Sequence, residues 1–138
     1  MKSTEILNHK KIINIFLNDN KLTLEIYGYF TDIIIKDVLS KLQLFLNICE
    51  KKSKKFYLIF DFSKYNILYS ANLLYYMSNI SNFLKKNNNI IKTYLIGSII
   101  ITETHISKTF MDTLLSNYTP VRPYKFFSAN EKIHFDFV

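Results

Sequence analysis

The stretch Phe56–Leu74, FYLIFDFSKYNILYSANLL, contains the change of period that sets the fold. Residues Phe56–Phe62 are apolar on both faces up to Asp61, the pattern of a central strand covered on two sides. After a polar loop, Leu73, Met77, Ile80 and Leu84 recur at spacings of four, three and four, which builds one apolar stripe on a helix. A strand buried on both faces that feeds an amphipathic helix is the beginning of a crossover unit, and crossover units make parallel sheets.

Upstream, Ile12–Leu17 is a short β-branched run closed by the turn residues Asn18, Asp19 and Asn20. Lys21–Tyr29 then alternates, with Leu22, Leu24 and Ile26 on one side and Lys21, Thr23 and Glu25 on the other. The two runs predict an opening antiparallel hairpin. Asp32 is the expected cap of a first helix whose stripe is Ile34, Val38, Leu42, Phe45 and Cys49. The basic run Lys51, Lys52, Lys54 and Lys55 follows it, where cations favour the negative end of the helix dipole.

Downstream, the second helix is expected to end at Lys85-Lys86 and the breaker Asn87-Asn88-Asn89, before an apolar strand over Tyr94–Ile101. Thr102 or Thr104 would cap a third helix carrying Ile106, Phe110, Leu114 and Leu115. Tyr118 to Pro123 break it, Tyr124–Phe127 form a last strand, and Ala129–Ile133 allow one closing turn of helix. The expected architecture is α/β: residues 1–138 as a single domain, with a mixed, mostly parallel sheet of about five strands, an N-terminal antiparallel hairpin and three to four helices.

Composition supports a globular domain. Of 138 residues 49% are apolar, enough for a core without staples, and Cys49 has no second cysteine to pair with. The net charge is +7, and lysine supplies every cation except Arg122. Dispersed lysine is a weaker sign of phosphate or base recognition than arginine, so nucleic acid is not the favoured partner. Apolar residues near the N-terminus are interrupted by Asn8, His9, Lys10 and Lys11, so no signal-peptide core forms there. Without a span of eighteen apolar residues, no transmembrane segment and a cytoplasmic protein are expected.

Catalytic chemistry finds little support. His9, His105 and His134 lie far apart in sequence, with no ligand-spaced partner on the same element, so no metal is expected. Cys49 falls on an apolar stripe rather than beside a base. The only glycines, Gly28 and Gly97, cannot build a phosphate loop, and no cofactor is expected. Loops at the carboxyl ends of strands are where α/β sheets meet ligands and partners, and Asp61 is the one carboxylate placed at such an end. Ser70 stands just before the periodic apolar residues, where its hydroxyl could cap a helix.

In this order of elements, the segment Asp61–Leu73 resembles STAS domains, the family of the anti-sigma-factor antagonists and of the cytoplasmic tails of sulfate transporters. There a central strand ends in Asp-Leu-Ser, and a short loop leads to Asp-Ser-Ser/Thr-Gly-Leu at the start of a helix. Here Asp61-Phe62-Ser63 is similar to the strand end, and Tyr69-Ser70-Ala71-Asn72-Leu73 stands where the helix opens. Pro120–Phe127 and Ser128–Glu131 are similar to the last strand and closing helix.

The resemblance implies a regulatory, non-enzymatic module that docks a partner protein through Asp61, Ser63, Tyr69, Ser70, Ala71, Asn72 and Tyr76. If so, Tyr75, Tyr76 and Asn79 should share an exposed helix face. Three departures stand out. Tyr69 replaces the acidic residue, Asn72 replaces the glycine, and Ala71 occupies the place of the phosphorylated hydroxyl. A phosphate there would add roughly −1.5 to −2 charges at a helix start, and Ala71 has no oxygen to accept it. Two other readings stay open. One is a structural or assembly protein, such as a homodimer or particle component, with an open edge on Leu22–Tyr29 or the last strand. The other is a carrier of a lipid or other apolar ligand, implied by the related SpoIIAA-like group.

Overall fold

The computed structural model describes residues 3–102 and 122–137. Six strands form one sheet in chain order: β1 (Thr4–His9), β2 (Ile13–Asn18), β3 (Lys21–Ile26), β4 (Phe56–Asp61), β5 (Leu95–Thr102) and β6 (Tyr124–Ser128). The first two pairings are antiparallel and the other three parallel. Four helices accompany them: α1 (Asp32–Lys52), α2 (Ser70–Tyr75), α3 (Met77–Lys86) and α4 (Asn88–Tyr94). The expected single-domain α/β architecture, an antiparallel hairpin followed by parallel strands, stands with one more strand.

That extra strand is β1. Leu7 and His9 face the helices while Glu5 and Asn8 are exposed, so the segment reads as polar although it lies at the sheet's edge. The hairpin of β2 and β3 turns at Asp19, whose φ of 58° is left-handed, as short hairpin turns require. β3 stops at Ile26 rather than Tyr29, because the amides of Tyr27 and Gly28 both turn to the Ile12 carbonyl. Gly28 is obligatory there, since a β-carbon would stand 2.2 Å from the Lys11 carbonyl oxygen. β3 is also an interior strand, so the open edge expected on Leu22–Tyr29 does not exist; β1 and β6 are the edges.

The register lines up Leu7, Ile15, Leu24, Phe60 and Ile100 in one row on the helix-facing side. Ile35, Val38, Phe45, Leu46 and Cys49 of α1 pack over them, joined by Leu73, Tyr76 and Ile91 of the α2–α4 segment. All of these helices lie on one face, as crossovers of a single hand require. The cap of α1 is Thr31 rather than Asp32: its hydroxyl accepts the Ile34 amide at 3.3 Å. At the other end Ser53 is left-handed and returns its amide to Cys49 and Glu50, with Lys51 and Lys52 in the last turn.

The expected second helix is broken once, at Tyr76, and ends at Lys86 as expected, but a further helix follows it. α2 stops at Tyr76 and α3 at Asn87, and α4 occupies residues expected to be loop and strand. Asn87 does not end the helical layer because its buried amide is satisfied. It exchanges 2.8 Å hydrogen bonds with Gln43 of α1 and donates to the Phe83 carbonyl. The expected third helix, from Thr104 to Leu115, lies outside the described residues, while Thr102 closes β5.

On the opposite face Ile59, Ile99, Ile101 and Phe127 form a second cluster, so β4 is covered on both sides as its composition requires. The cover is not the expected closing helix. After a turn in which Glu131 accepts the Ser128 amide, residues 132–137 run without regular structure, and Ile133, Phe135 and Phe137 point alternately inward. Tyr57 meets the rings of Phe135 and Phe137 at 5.0 and 5.9 Å, and Lys21 and Lys125 lie over the same two rings. Gly97, inside β5, makes room for Phe137, because a β-carbon would come within 2.7 Å of that ring. Gly97→Ala should therefore displace the tail. We expect a cost of about 1 kcal/mol in urea unfolding and faster proteolysis after Ala129, the latter reproduced by Phe137→Ala.

Candidate functional site

The carboxyl ends of β3 and β4 carry two segments, the loop 27–31 into α1 and the segment 62–69 into α2. Asp61 begins the second by accepting the Ser63 amide on Oδ1 at 2.9 Å, a side-chain turn that engages one of its two carboxylate oxygens. The Phe62 amide continues the sheet by bonding the Ile101 carbonyl. Asn66 repeats the side-chain turn on the Leu68 amide, and a short 3-10 turn, Ile67–Tyr69, leads into α2. Ser70 is the first residue of that helix and does not cap it. The capping position is Tyr69, which makes no side-chain bond, so the expected Ser70 cap is absent.

Asn72 does the joining. Its Oδ1 accepts the Phe30 amide at 2.7 Å, and its Nδ2 donates to the Phe30 carbonyl at 3.0 Å. A primary amide thus pairs with both polar groups of one backbone residue, as a neighbouring strand would. A glycine, which stands at this place in the STAS motif that the segment resembles, has no side chain with which to do this. The clamp fixes the loop entering α1 against the start of α2, with the Phe30 ring buried beneath.

Tyr76 makes the second link. Its hydroxyl donates to Asp32 Oδ1 at 2.7 Å, and only 7% of the residue is exposed. Tyr75 and Asn79 lie at the surface as expected, but Tyr76 does not share their face. Hydrogen bonding to the Asp32 carboxylate, reinforced by burial, pushes the Tyr76 hydroxyl up to about 12. Tyr27 is likewise pushed up to about 12, by burial and then by its bond to Glu25. Burial raises the Tyr65 hydroxyl further still.

What remains at the surface is apolar. Tyr29 is 60% exposed, Ile33 79%, Leu68 82% and Tyr75 74%. Tyr29 meets Tyr69 edge-on at 6.2 Å, a contact between the two segments, and Tyr75 meets its chain neighbour Tyr76 at 4.9 Å. Of the residues expected to bind a partner, Ala71 is exposed, whereas Asp61, Ser63, Tyr69, Ser70 and Asn72 are half-buried. Ile33 and Leu68 carry no sequence signal beyond being apolar and off their helical stripes.

Elsewhere, His9 of β1 lies 2.8 Å from Asp37 of α1, a pairing across elements that sequence spacing does not show. His134 sits edge-on to Phe127, and His105 lies outside the described residues. Cys49 is buried in the core, and burial pushes its thiol up. Among the described residues no three His, Cys, Asp or Glu groups converge on a metal position, and no helix is long and apolar enough to cross a membrane. A cavity of about 230 Å³ lies between sheet and helices, lined among the described residues by Leu24, Val38, Phe60, Phe83 and Ile100, with Arg122 and Tyr124 also on its wall.

No protein-family model and no curated protein sequence matches the chain. A solved structure does: SiaC of Pseudomonas aeruginosa, with a TM-score of 0.54 over 93% of this chain and 99% of that one. The two share a fold. Their sequence identity is 8%, so the likeness establishes the architecture and no site residue.

Asn72→Gly should lose both clamp bonds and cost about 1 to 3 kcal/mol in urea unfolding. The Tyr76 hydroxyl titrates from 10.0 unfolded to about 12 folded. Its stabilisation is therefore complete below pH 10 and lost as pH rises through about 12. Across that window the stability of the native chain should fall toward that of Tyr76→Phe, read from unfolding midpoints.

Proposed function

We propose that this chain is a non-catalytic, regulatory, STAS-like interaction module whose partner protein docks on the strand-end rim of Tyr29, Ile33, Leu68 and Tyr75. The supporting observation is the concentration of four large, exposed apolar side chains on two segments that Asn72 locks together. Exposed apolar groups gathered at one place mark interaction surfaces, whereas scattered ones do not. The rim also lies at the carboxyl ends of parallel strands, where α/β folds meet their ligands. The SiaC-like fold agrees with such a module.

On this reading Asp61 and Asn72 position the surface instead of touching the partner, and Tyr76 anchors it from below. Ala71 is exposed at the start of α2 and cannot be phosphorylated, so docking is not switched there. A second reading, a carrier of an apolar ligand, draws on the apolar cavity between sheet and helices. Native mass spectrometry of the gently purified chain tests it: a bound acyl species supports that reading, and a bare mass removes it.

For the docking module, the tagged full chain should retain a stoichiometric protein partner from its own cells. Leu68→Asp combined with Tyr75→Asp should abolish that retention while stability changes by less than about 0.5 kcal/mol. Leu44→Asp, on the outer face of α1, should retain the partner. Retention by the double variant would place the docking surface elsewhere.

A further inference from the structure

We infer that the outer face of the helical layer, at the end away from the rim, rests on an anionic membrane surface. The first observation is where the charge sits. From Val38 to Lys55, α1 and the loop after it carry Lys41, Lys51, Lys52, Lys54 and Lys55 against one carboxylate, Glu50. Between Met77 and Tyr94, α3 and α4 carry Lys85, Lys86 and Lys92 and no carboxylate at all. Eight lysines against one acid equal the net charge of the entire chain, +7, so the remainder of the molecule is balanced.

The fold brings the two groups together. Gln43 of α1 donates both to Asn87, the residue after Lys85 and Lys86, and to Asn47, one turn short of Lys51. All of these lysines except Lys41 are exposed, and none forms an ion pair among the described residues. Beyond the patch, Asp37, one turn before Lys41, pairs with His9, and Asp19, in the β2–β3 turn, stands two residues from Lys21. The carboxyl ends of the helices add only about −0.5 charge each, which leaves the patch strongly positive.

The apolar residues within the patch decide what fits it. Leu44 and Ile48 are 57% and 51% exposed, and Lys41, Leu44, Ile48 and Lys51 follow one another at spacings of three, four and three. They form one outward stripe of α1, while Phe45, Leu46 and Cys49 are buried. Aliphatic side chains bracketed by lysines suit a helix lying in a bilayer interface, with its apolar groups among acyl chains and its ammonium groups at anionic headgroups. Nucleic acid is gripped instead by arginine forks and stacked rings. Arg122, the only arginine, is committed to the Leu95 and Ile96 carbonyls, and no exposed ring lies on α1, α3 or α4.

The test is co-sedimentation of the full chain with vesicles. The chain should pellet with equal parts of phosphatidylglycerol and phosphatidylcholine, stay in solution with phosphatidylcholine alone, and be released as salt rises. Each lysine at such a surface accounts for a factor of about five, so Lys51→Gln combined with Lys85→Gln should lower the affinity more than about tenfold. Leu44→Ser combined with Ile48→Ser should lower it several-fold, whereas Leu68→Ser with Tyr75→Ser, on the rim, should leave it unchanged. Failure to pellet at low salt would overturn the inference. So would pelleting that the Leu44 and Ile48 variant leaves intact: displacement of those vesicles by duplex DNA would then mark a nucleic-acid surface, and displacement by polyglutamate an acidic protein's.

Discussion

The pairing of Asn72 with the backbone of Phe30 is the constraint on which the strand-end face of the molecule depends. It converts two separate loops, one after each of two adjacent parallel strands, into a single rigid surface. Without it, the start of α2 would be held to α1 chiefly by Tyr76 and Asp32. Because both Phe30 backbone groups are satisfied by one side chain, neither is left to draw water under the rim. At the other end of the helical layer Asn87 does the same between α1 and α3, there with a side-chain partner, Gln43. Two amides thus set the tilt of a layer otherwise held by non-directional apolar contact.

The sheet below is loaded unequally. On the helix side the apolar rows run across five strands, while on the other side only β4, β5 and β6 carry a continuous apolar surface. A helix would overhang that narrower strip, whereas an extended tail with alternating inward residues matches it. Gly97 in β5 and the flat ring of Phe137 fit because each lacks what the other would strike.

Sequence legibility follows the range of the interactions. α1 is readable because its stripe is local and its last turn carries cations, and β4 because no polar residue interrupts it before Asp61. β1 escapes because an edge strand with one half-buried face tolerates Glu5, Asn8 and His9. The roles of the two asparagines are not readable locally, for a physical reason. Asn is a turn and breaker residue by local propensity, yet the partner of Asn72 lies 42 residues away and that of Asn87 lies 44. The rim suffers similarly: Leu68 and Ile33 read as apolar residues of no special kind, and only the fold shows that no core lies over them. The bonds that Asn72 and Tyr76 make within the segment singled out by the motif likeness are internal ones.

The strictly sequential order of the six strands has a consequence for how the chain comes to be folded. Each new strand docks on the one made just before it, so no strand has to be inserted between two that are already paired. The sheet can therefore grow as the chain emerges from the ribosome, from β1 toward β6. Until β6 and the aromatic tail arrive, the growing edge and the back of β4 and β5 stay uncovered. The arrival of β6 and the tail behind it thus closes off the surface most open to aggregation.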